Sequence, residues 1–508
     1  MTDYAKLTRR AATLCACVAA LAAATTATAS PRFGVAEDAT KYADDGGASL
    51  YPRLRELGMV ENRITVRWNP ADPTTIQEQG FLDRALPAAD RAGVRIVFDV
   101  YPVDPFAFTA SPETRAALFA AYLKTVARRY PQVTDYIVGN EPNESYFWKP
   151  QFGKSGRQAS AWTFLPVIAA GYDALKSVDP DIRVIAAGPS NEGNDKTSTS
   201  PVRFLRALGQ AYRASGRKTP FMDAMTFHVY PRRNTYPPSR PYGWPNAGAA
   251  DLARLKQAVW DAFADSPQPT FPQGPEAAGT GALELVVDEF GWQVAIGRRL
   301  ASKYSRSENV PTVSEAEQAR YYRDVIRMMS CDVAVTDVLV FHLIDEPDLR
   351  RFQTGPLRID RSKRPSFGAL RSAIAGAGSC ARRAAWWPTR GVVGAKAVFG
   401  ERARTADSTL FGISATAGED AFAKAGIFRV PDALTRPTVE DVGRSLASRR
   451  EEELVLRAST LVKAGHTPRL EFRGRLAPGH YVYGIRLTSS MNPDRTRTIV
   501  SRVFEVSS

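Results

Sequence analysis

From Pro31 to about Gly378, short apolar runs alternate with longer stretches in which apolar residues recur at helical spacing. Such runs, rich in valine and isoleucine, are typical of strands buried on both faces of a parallel sheet. The alternation therefore predicts a series of parallel strand–helix units.

Eight strands and eight helices are predicted in this region. The strands are Phe33–Val35, Ile64–Trp68, Val94–Val100, Asp135–Asn140, Val184–Ala187, Ala224–Tyr230, Leu283–Glu289 and Val335–Leu343. The helices are Leu50–Leu57, Phe81–Ala92, Thr114–Arg129, Ala159–Ser177, Val202–Ala214, Asp251–Ala264, Ser314–Ser330 and Phe367–Ala375. Eight such pairs predict an α/β fold, a (β/α)8 TIM barrel with enlarged loops, over residues 31–380. An open doubly wound sheet is the alternative, but no glycine-rich phosphate loop follows the first strand.

The pattern changes at Trp386, where short alternating runs are separated by glycine and proline. The predicted strands are Thr409–Ala415, Leu454–Leu461, Leu470–Phe472, Tyr481–Leu487 and Thr498–Val506, with a helical insertion at Thr438–Glu452. The segment 476–481 resembles the turn and tyrosine that precede a late strand of immunoglobulin and fibronectin III-like sandwiches. Residues 386–508 are therefore predicted to form an all-β sandwich as an accessory domain.

The first 29 residues have the composition of a signal peptide. Basic residues precede an apolar stretch from Ala11 to Ala24, and Ala27-Thr28-Ala29 is a small-residue cleavage site. A membrane anchor is the alternative, but the run is short and rich in alanine. We therefore expect a secreted or extracytoplasmic protein without a transmembrane span.

Cleavage would remove Cys15 and Cys17 and leave only Cys331 and Cys380. Two cysteines in an oxidising compartment predict one disulfide, and two separate buried thiols are the alternative. Both cysteines follow predicted barrel helices that are neighbours, so a bridge between them at the bottom of the barrel is geometrically reasonable.

The chain has a formal net charge of +14. Residues 381–508 carry 21 Lys/Arg against 13 Asp/Glu. Such a surface is able to hold an acidic envelope polymer, but we favour the simpler explanation, an arginine-rich composition without function. The basic residues are scattered and form no nucleic-acid motif, so we expect no nucleic-acid partner. We also expect the protein to be a monomer.

Two glutamates follow strands four and seven of the predicted barrel. The run 136–138 leads into Gly139-Asn140-Glu141-Pro142, and the run 285–287 leads into Asp288-Glu289-Phe290-Gly291-Trp292. The C-terminal ends of barrel strands open on one face, where active sites lie. Two carboxyl groups at one site are what hydrolysis of a glycosidic bond requires. Glu141 and Glu289 are therefore the candidate catalytic residues.

Four further residues at strand ends are candidates for catalytic support. Arg67 could keep a nucleophilic carboxylate ionised by charge pairing. His228 and Tyr230 lie two apart on strand six, so they point to the same side; His228 would orient the acid, and Tyr230 would donate to the nucleophile. Asn140 would donate to a sugar 2-hydroxyl group.

This set resembles clan A of the retaining glycoside hydrolases, and within it cellulase-type family 5 or xylosidase-type family 39. The resemblance covers about residues 31–378 and depends on the motifs at 139–142, 228–230 and 288–292. It implies that Glu141 is the acid/base and Glu289 the nucleophile. Two positions depart from family 5: its usual strand-three histidine is here Asp99 or Tyr101, and its usual tryptophan after strand eight is replaced by Val340–Leu343.

Aromatic residues after the strands are candidate sugar-binding residues, because aromatic faces suit the C–H surfaces of sugars. They are Trp68, Tyr101, Trp148, Trp244 and Trp292. Local loop packing is the alternative for each. A further acidic motif, Asp345-Glu346-Pro347, follows strand eight and rivals Glu289 as the nucleophile.

The sequence as a whole predicts an exported glycoside hydrolase that acts by double displacement and needs no cofactor. Only four histidines exist, and two of them, His466 and His480, lie in the C-terminal domain, so no metal is expected. The alternatives are an envelope carbohydrate-binding protein without turnover and a transglycosylase on the same barrel. The sugar, the linkage and the choice between endo and exo attack are left open.

Overall fold

The computed structural model describes residues 30–102, 110–273, 281–379, 386–389, 391–392, 396–404, 409–434, 437–447 and 454–507. The predicted signal peptide and Cys380 lie outside the described residues. Export and the Cys331–Cys380 disulfide therefore stay predictions. Cys331 is at the C-terminal end of a barrel helix, as expected.

Eight parallel strands close into a barrel in which every strand pairs with the next and the first pairs with the eighth. They are β1 (Arg32–Ala36), β2 (Glu61–Trp68), β3 (Arg95–Pro102), β4 (Asp135–Val138), β5 (Arg183–Ala186), β6 (Ala224–His228), β7 (Glu284–Glu289) and β8 (Val335–Phe341). The predicted (β/α)8 barrel is confirmed.

Helices surround the barrel at the positions that the sequence predicts. They are α1 (Ala39–Tyr42), α2 (Tyr51–Glu56), α3 (Gln79–Arg91), α4 (Pro112–Arg129), α5 (Ser160–Val178), α6 (Pro201–Ser215), α7 (Leu252–Phe263), α8 (Glu315–Ser330) and α9 (Pro365–Ala375), with 3₁₀ helices at Ala249–Asp251, Arg298–Lys303 and Ala377–Ser379. Helix α8 begins at a capping box in which the Ser314 hydroxyl accepts from the Glu317 backbone and the Glu317 carboxylate accepts from the Ser314 backbone. Within the described part of the chain, no helix has the length and apolar character needed to cross a membrane.

Strand β4 ends earlier than its apolar pattern predicts. The prediction extended it to Asn140, but the ladder stops at Val138. Gly139 then adopts a φ of 89°, a left-handed conformation that glycine tolerates. The chain therefore leaves the strand direction just before Asn140 and Glu141, which lie in a turn at the barrel mouth.

The opposite end of the barrel is closed by buried ion pairs. Arg183 lies 3.2 Å from Asp135 and 2.8 Å from Asp337, and both aspartates are almost fully buried. Buried charges are tolerated when they are paired in this way. This end of a barrel contributes to stability rather than to catalysis.

The C-terminal region consists of two antiparallel sheets, which agrees with the predicted β-sandwich. The strands are β9 (Lys396–Arg404), β10 (Thr409–Thr416), β11 (Ala421–Val430), β12 (Leu454–Val462), β13 (Arg469–Gly474), β14 (Gly479–Ser489), β15 (Thr496–Val500) and β16 (Phe504–Val506), and α10 (Val439–Ala447) is inserted after β11. One sheet has the order β13-β10-β9 and the other β12-β11-β14-β15, with β16 also on β14. Ile413 and Phe472 from the first sheet share one apolar core with Ile427 and Ile485 from the second.

Strands β9 and β11 were missed by the sequence analysis, whereas the predicted tyrosine motif is present. The Tyr481 hydroxyl donates to the carbonyl of Ala477 at 2.7 Å. This bond fixes the chain where it enters β14, as in the sandwiches that the segment resembles.

Candidate active site

Glu141 and Glu289 lie at the same end of the barrel, as predicted. Glu289 is the last residue of β7, and its side chain is 9% exposed. Glu141 follows β4 by three residues, has a φ of 35° and keeps 17% of its side chain exposed. A positive φ at a residue other than glycine costs energy and is concentrated at functional sites.

His228, the last residue of β6, lies between the two glutamates. Its Nδ1 atom is 2.6 Å from Oε1 of Glu141 and 3.4 Å from Oε2 of Glu289. The sum of these distances sets an upper limit of 6.0 Å on the separation of the two carboxylate oxygens. The two acids therefore face one small volume at the barrel mouth.

Tyr230 lies against Glu289. Its hydroxyl donates to Oε2 of Glu289 at 3.0 Å, which is the contact that the sequence predicts. The predicted contact of His228 with Glu141 is also present. The strand was predicted to extend to Tyr230, but β6 ends at His228, and Tyr230 lies in the loop that follows.

The arginine that binds Glu289 is Arg63 and not Arg67. Nη2 of Arg63 is 2.7 Å from Oε1 of Glu289, whereas the Arg67 side chain is exposed at the tip of β2. The two arginines share a face of β2, but residue 67 is four positions nearer to the mouth. An arginine side chain is long enough to reach the Glu289 carboxylate from a position deeper in the barrel. The predicted contact is therefore made by the arginine four residues earlier on β2.

Arg63 also binds two buried aspartates that sequence reasoning did not assign to the site. It lies 2.9 Å from Asp99 and 2.7 Å from Asp288, and both are at most 1% exposed. Nε2 of His228 is 3.4 Å from Asp288. A basic residue in the apolar pattern of β2 is the signal that could have revealed this cluster, because a buried guanidinium requires carboxylate partners.

The pKa values of this cluster follow from burial and from charge. Burial raises the pKa of Asp99 to about 8, although Arg63 opposes the shift. Burial disfavours the charged imidazolium, but Glu289, Asp288 and Glu141 raise the pKa of His228 well above its ordinary value. Burial would raise the pKa of Asp288, yet His228 and Arg63 hold it below its ordinary value. The three carboxylates around His228 therefore favour the protonated form of its imidazole.

Asn140 and Tyr101 lie at the same mouth. Asn140 directly precedes Glu141 and is 9% exposed. Tyr101 is half-buried on β3, one position before the strand ends, and its ring meets Phe147 edge-on at 5.9 Å. Both positions are compatible with contact to a sugar, and their substrate roles stay predictions.

Three of the four candidate tryptophans are packing residues. Trp68, Trp148 and Trp292 are at most 3% exposed, so their rings offer no face to a substrate. Trp292 donates to the carbonyl of Tyr236 at 2.8 Å, and Trp148 donates to the Thr163 hydroxyl at 2.9 Å. The loops fold back onto the barrel and bury these rings, which corrects their assignment to substrate binding. Trp244 is half-buried against the core, and its role stays a prediction.

Aromatic residues at the end of β8 and in the loop that follows, which the sequence analysis did not assign to substrate binding, pack against Tyr230 instead. Phe341 and Phe352 pack edge-on with ring centroids 4.9 Å apart, and the Tyr230 ring is 6.3 Å from Phe352. Phe352 is 38% exposed, so its ring is accessible at the mouth. A loop residue separated from its strand by eleven positions gives no periodic signal in the sequence.

The rival motif after β8 stabilises its own loop. Asp345 forms a buried ion pair with Arg364 at 2.6 Å. Glu346 accepts from the backbone of Phe352 at 3.0 Å and lies 3.7 Å from His342. Arg63, His228 and Tyr230 all contact Glu289, so the arrangement favours Glu289 as the partner of Glu141.

No protein-family model matches this sequence, and no curated protein matches it. Solved structures similar to it include a family 39 glycoside hydrolase from the gut symbiont Bacteroides cellulosilyticus WH2, with 15% identity, 88% of this chain and 81% of that chain covered, and a TM-score of 0.46. Another is the exo-β-1,4-mannosidase Op5Man5 from Opitutaceae bacterium strain TAV5, with 14% identity and a TM-score of 0.45. The match covers 69% of this chain and 60% of that chain. A GH5_18 protein from Streptomyces cattleya in complex with GlcNAc has 14% identity and a TM-score of 0.45. The match covers 72% of this chain and 83% of that chain.

Proposed function

We propose that this protein is a glycoside hydrolase that cleaves O-glycosidic bonds of an oligo- or polysaccharide with retention of anomeric configuration. The observation that carries the proposal is the pair Glu141 and Glu289, which both lie close to Nδ1 of His228, so that two of their oxygens are within 6.0 Å of each other. Retaining enzymes have carboxyl groups about 5–5.5 Å apart, and inverting enzymes need about 6.5–9.5 Å to admit a water molecule.

In the first step Glu141 donates its proton to the glycosidic oxygen while a Glu289 oxygen attacks the anomeric carbon. The bond from that carbon to the leaving oxygen breaks, and a glycosyl ester on Glu289 forms. In the second step Glu141 takes a proton from water, the water oxygen attacks the anomeric carbon, and the ester bond breaks. Both carboxyl groups return to their starting states.

The contacts around the glutamates suit these two roles. Arg63 and Tyr230 contact opposite oxygens of Glu289 and so hold the carboxylate that would act as the nucleophile in one orientation. The other contacts of Arg63 with Asp99 and Asp288 fix the guanidinium and therefore the orientation of Glu289. The bond from His228 holds Glu141 at a distance suited to the leaving oxygen.

We also propose that the enzyme acts outside the cytoplasm, as the composition of residues 1–29 indicates. A Cys331–Cys380 disulfide would be expected in that compartment.

A screen of plant, microbial-envelope and exopolysaccharide substrates for released reducing ends tests the activity. We expect Glu289→Gln to lower kcat at least about a thousandfold and Glu141→Gln at least about a hundredfold. Glu346→Gln is the matched control, because this glutamate binds its own loop, and it should retain activity within about threefold.

Three results would contradict the proposal. Loss of activity in Glu346→Gln with full activity in Glu289→Gln would show that the nucleophile is Glu346, in the loop after β8. Binding of a polysaccharide without cleavage would indicate a carbohydrate-binding protein. Transfer of glycosyl groups to added acceptor sugars in preference to water would indicate a transglycosylase.

A further inference from the structure

The loops around the barrel mouth separate into a basic half and an acidic half. The loops after β6, β7 and β8 (229–251, 290–314 and 342–364) carry 13 Lys/Arg against 6 Asp/Glu. The described loops after β1, β2, β4 and β5 (37–50, 69–78, 139–159 and 187–200) carry 5 against 10. An arginine-rich composition alone would spread the excess over both halves.

Hydrogen bonds join the three basic loops into one continuous surface. The Asn234 side chain donates to the carbonyl of Pro311 at 2.9 Å, which connects the first loop to the second. The backbone of Leu349 donates to Ser305 at 2.9 Å, and the Asn309 side chain donates to Arg350 at 3.0 Å, which connects the second loop to the third. The charges of the three loops therefore act on one side of the mouth.

A cavity of about 140 Å³ opens within the first of these loops. Its lining includes Tyr230, Arg232, Tyr236, Arg240 and Tyr242. Tyr230 lines this cavity and also donates to Glu289 through its hydroxyl, so the cavity adjoins a residue of the candidate active site. A group bound there would belong to the sugar at the cleavage point or to its neighbour.

The two arginines of the cavity are able to bind an anion. The Arg240 guanidinium stacks 3.8 Å from the centre of the Tyr236 ring, and no carboxylate of the described residues lies within ion-pair distance of it. Arg232 lies 3.4 Å from Glu192, and both side chains are exposed, at 62% and 41%. An exposed ion pair of this kind contributes little to stability, so an anionic ligand can replace Glu192 as the partner of Arg232. Guanidinium groups bind carboxylate and sulfate through paired hydrogen bonds.

We propose that the substrate is an acidic polysaccharide and that the cavity between Arg232 and Arg240 binds its anionic group. This inference rests on the proposed function, since it identifies the class of substrate that the same site cleaves. The basic half of the mouth would attract such a polymer from a distance, and the cavity would position one acidic sugar next to Glu289.

Binding to the full-length Glu289→Gln protein tests this inference without turnover. The probes are polymannuronate, polyglucuronate and carrageenan, each paired with its carboxyl-reduced or desulfated form, which separates carboxylate from sulfate recognition. We expect at least one acidic polymer to bind at least about tenfold more tightly than its neutral form, with an affinity that falls as salt is added.

Two double variants in the same background distinguish the cavity from net charge. Arg232→Gln/Arg240→Gln should lower the affinity at least about tenfold. Arg473→Gln/Arg475→Gln removes two exposed charges from the sandwich and should change it less than about twofold. Circular dichroism melts check that both double variants fold.

Equal binding of acidic and neutral polymers, or equal losses in the two double variants, would overturn the inference. Cleavage of neutral polysaccharides alone by the wild type would also overturn it and would leave the proposed hydrolase intact. Cavity-dependent binding of an acidic polymer, with no cleavage of any polysaccharide by the wild type, would support the anion site alone and contradict both the hydrolase and the acidic substrate.

Discussion

Nη2 of Arg63 lies 2.7 Å from Oε1 of Glu289 and joins the second barrel strand to the seventh. The same guanidinium contacts Asp99 and Asp288, so three acidic side chains share one guanidinium whose side chain is 4% exposed. The position of the Glu289 carboxylate therefore depends on a buried residue of another strand.

Replacing Arg63 should impair both catalysis and folding. We expect Arg63→Met to lower kcat/KM at least about a hundredfold and to lower the free energy of unfolding by about 3–5 kcal/mol, because buried carboxylates lose their partner. Arg63→Lys keeps the charge and should be milder in both measurements. Arg67→Met, at the exposed end of the same strand face, is the control. A larger loss of activity in Arg67→Met than in Arg63→Met would contradict the assignment.

The buried proton on Asp99 should make stability depend on pH. Its pKa of about 8 lies above the ordinary value of 3.8, so between these limits the folded state binds a proton that the unfolded state has lost. Stability from this group is therefore complete below about pH 4 and decreases as the pH rises to about 8.

Asp99→Asn removes this dependence, because asparagine resembles the neutral acid. We expect the unfolding free energy of the variant to rise relative to wild type between about pH 4 and 8, on the order of 1.4 kcal/mol for each unit of pKa displacement. Urea unfolding of both proteins across this range measures the difference. Parallel curves for the two proteins would show that Asp99 is ionised when folded.

The buried tryptophans should affect stability and not substrate affinity. Trp148→Phe removes the bond to Thr163 and part of the contact with Phe164. We expect a loss of about 1–3 kcal/mol in unfolding free energy and an unchanged KM. Urea unfolding measures the change in stability, and steady-state kinetics measures KM. A raised KM at unchanged stability would show that Trp148 contacts the substrate after all.

The tyrosine at the start of β14 should stabilise the sandwich alone. Tyr481→Phe removes the hydroxyl that donates to Ala477. We expect a loss of about 1 kcal/mol in the unfolding of the C-terminal domain and unchanged hydrolysis by the barrel. A fall in kcat with no change in unfolding would instead connect this residue to the active site.

The barrel and its two glutamates were predictable because they depend on local pattern. The strands of a parallel barrel are continuous apolar runs, and β4 and β7 each lead directly into a polar motif. The contacts of His228 and Tyr230 were also predicted, although β6 ends at His228 and Tyr230 lies two residues beyond the strand.

The wrong assignments concern residues whose sequence patterns look the same but whose positions in the folded barrel differ. Arg63 and Arg67 have the same parity on β2, and only the height of the carboxylate layer distinguishes them. The direction in which a loop folds decides whether a tryptophan is buried, as at Trp148, and a short motif does not encode that direction.

Strand β11 was missed for a different reason. Its buried positions include Ala421, Ala423 and Ala425, whereas Phe422 is 56% exposed. Alanine has a weak preference for strands, so the first half of β11 lacks the large inward residues that usually indicate a strand, and they begin only at Ile427.

The anomeric form of the first product tests the pairing of Glu141 and Glu289 most directly. Proton NMR during the first minutes of cleavage of a substrate from the screen, before mutarotation, records which anomer is released. A double displacement on Glu289 predicts a first product with the anomeric configuration of the substrate. A first product of the opposite configuration would show a single displacement by water and would contradict Glu289 as the nucleophile.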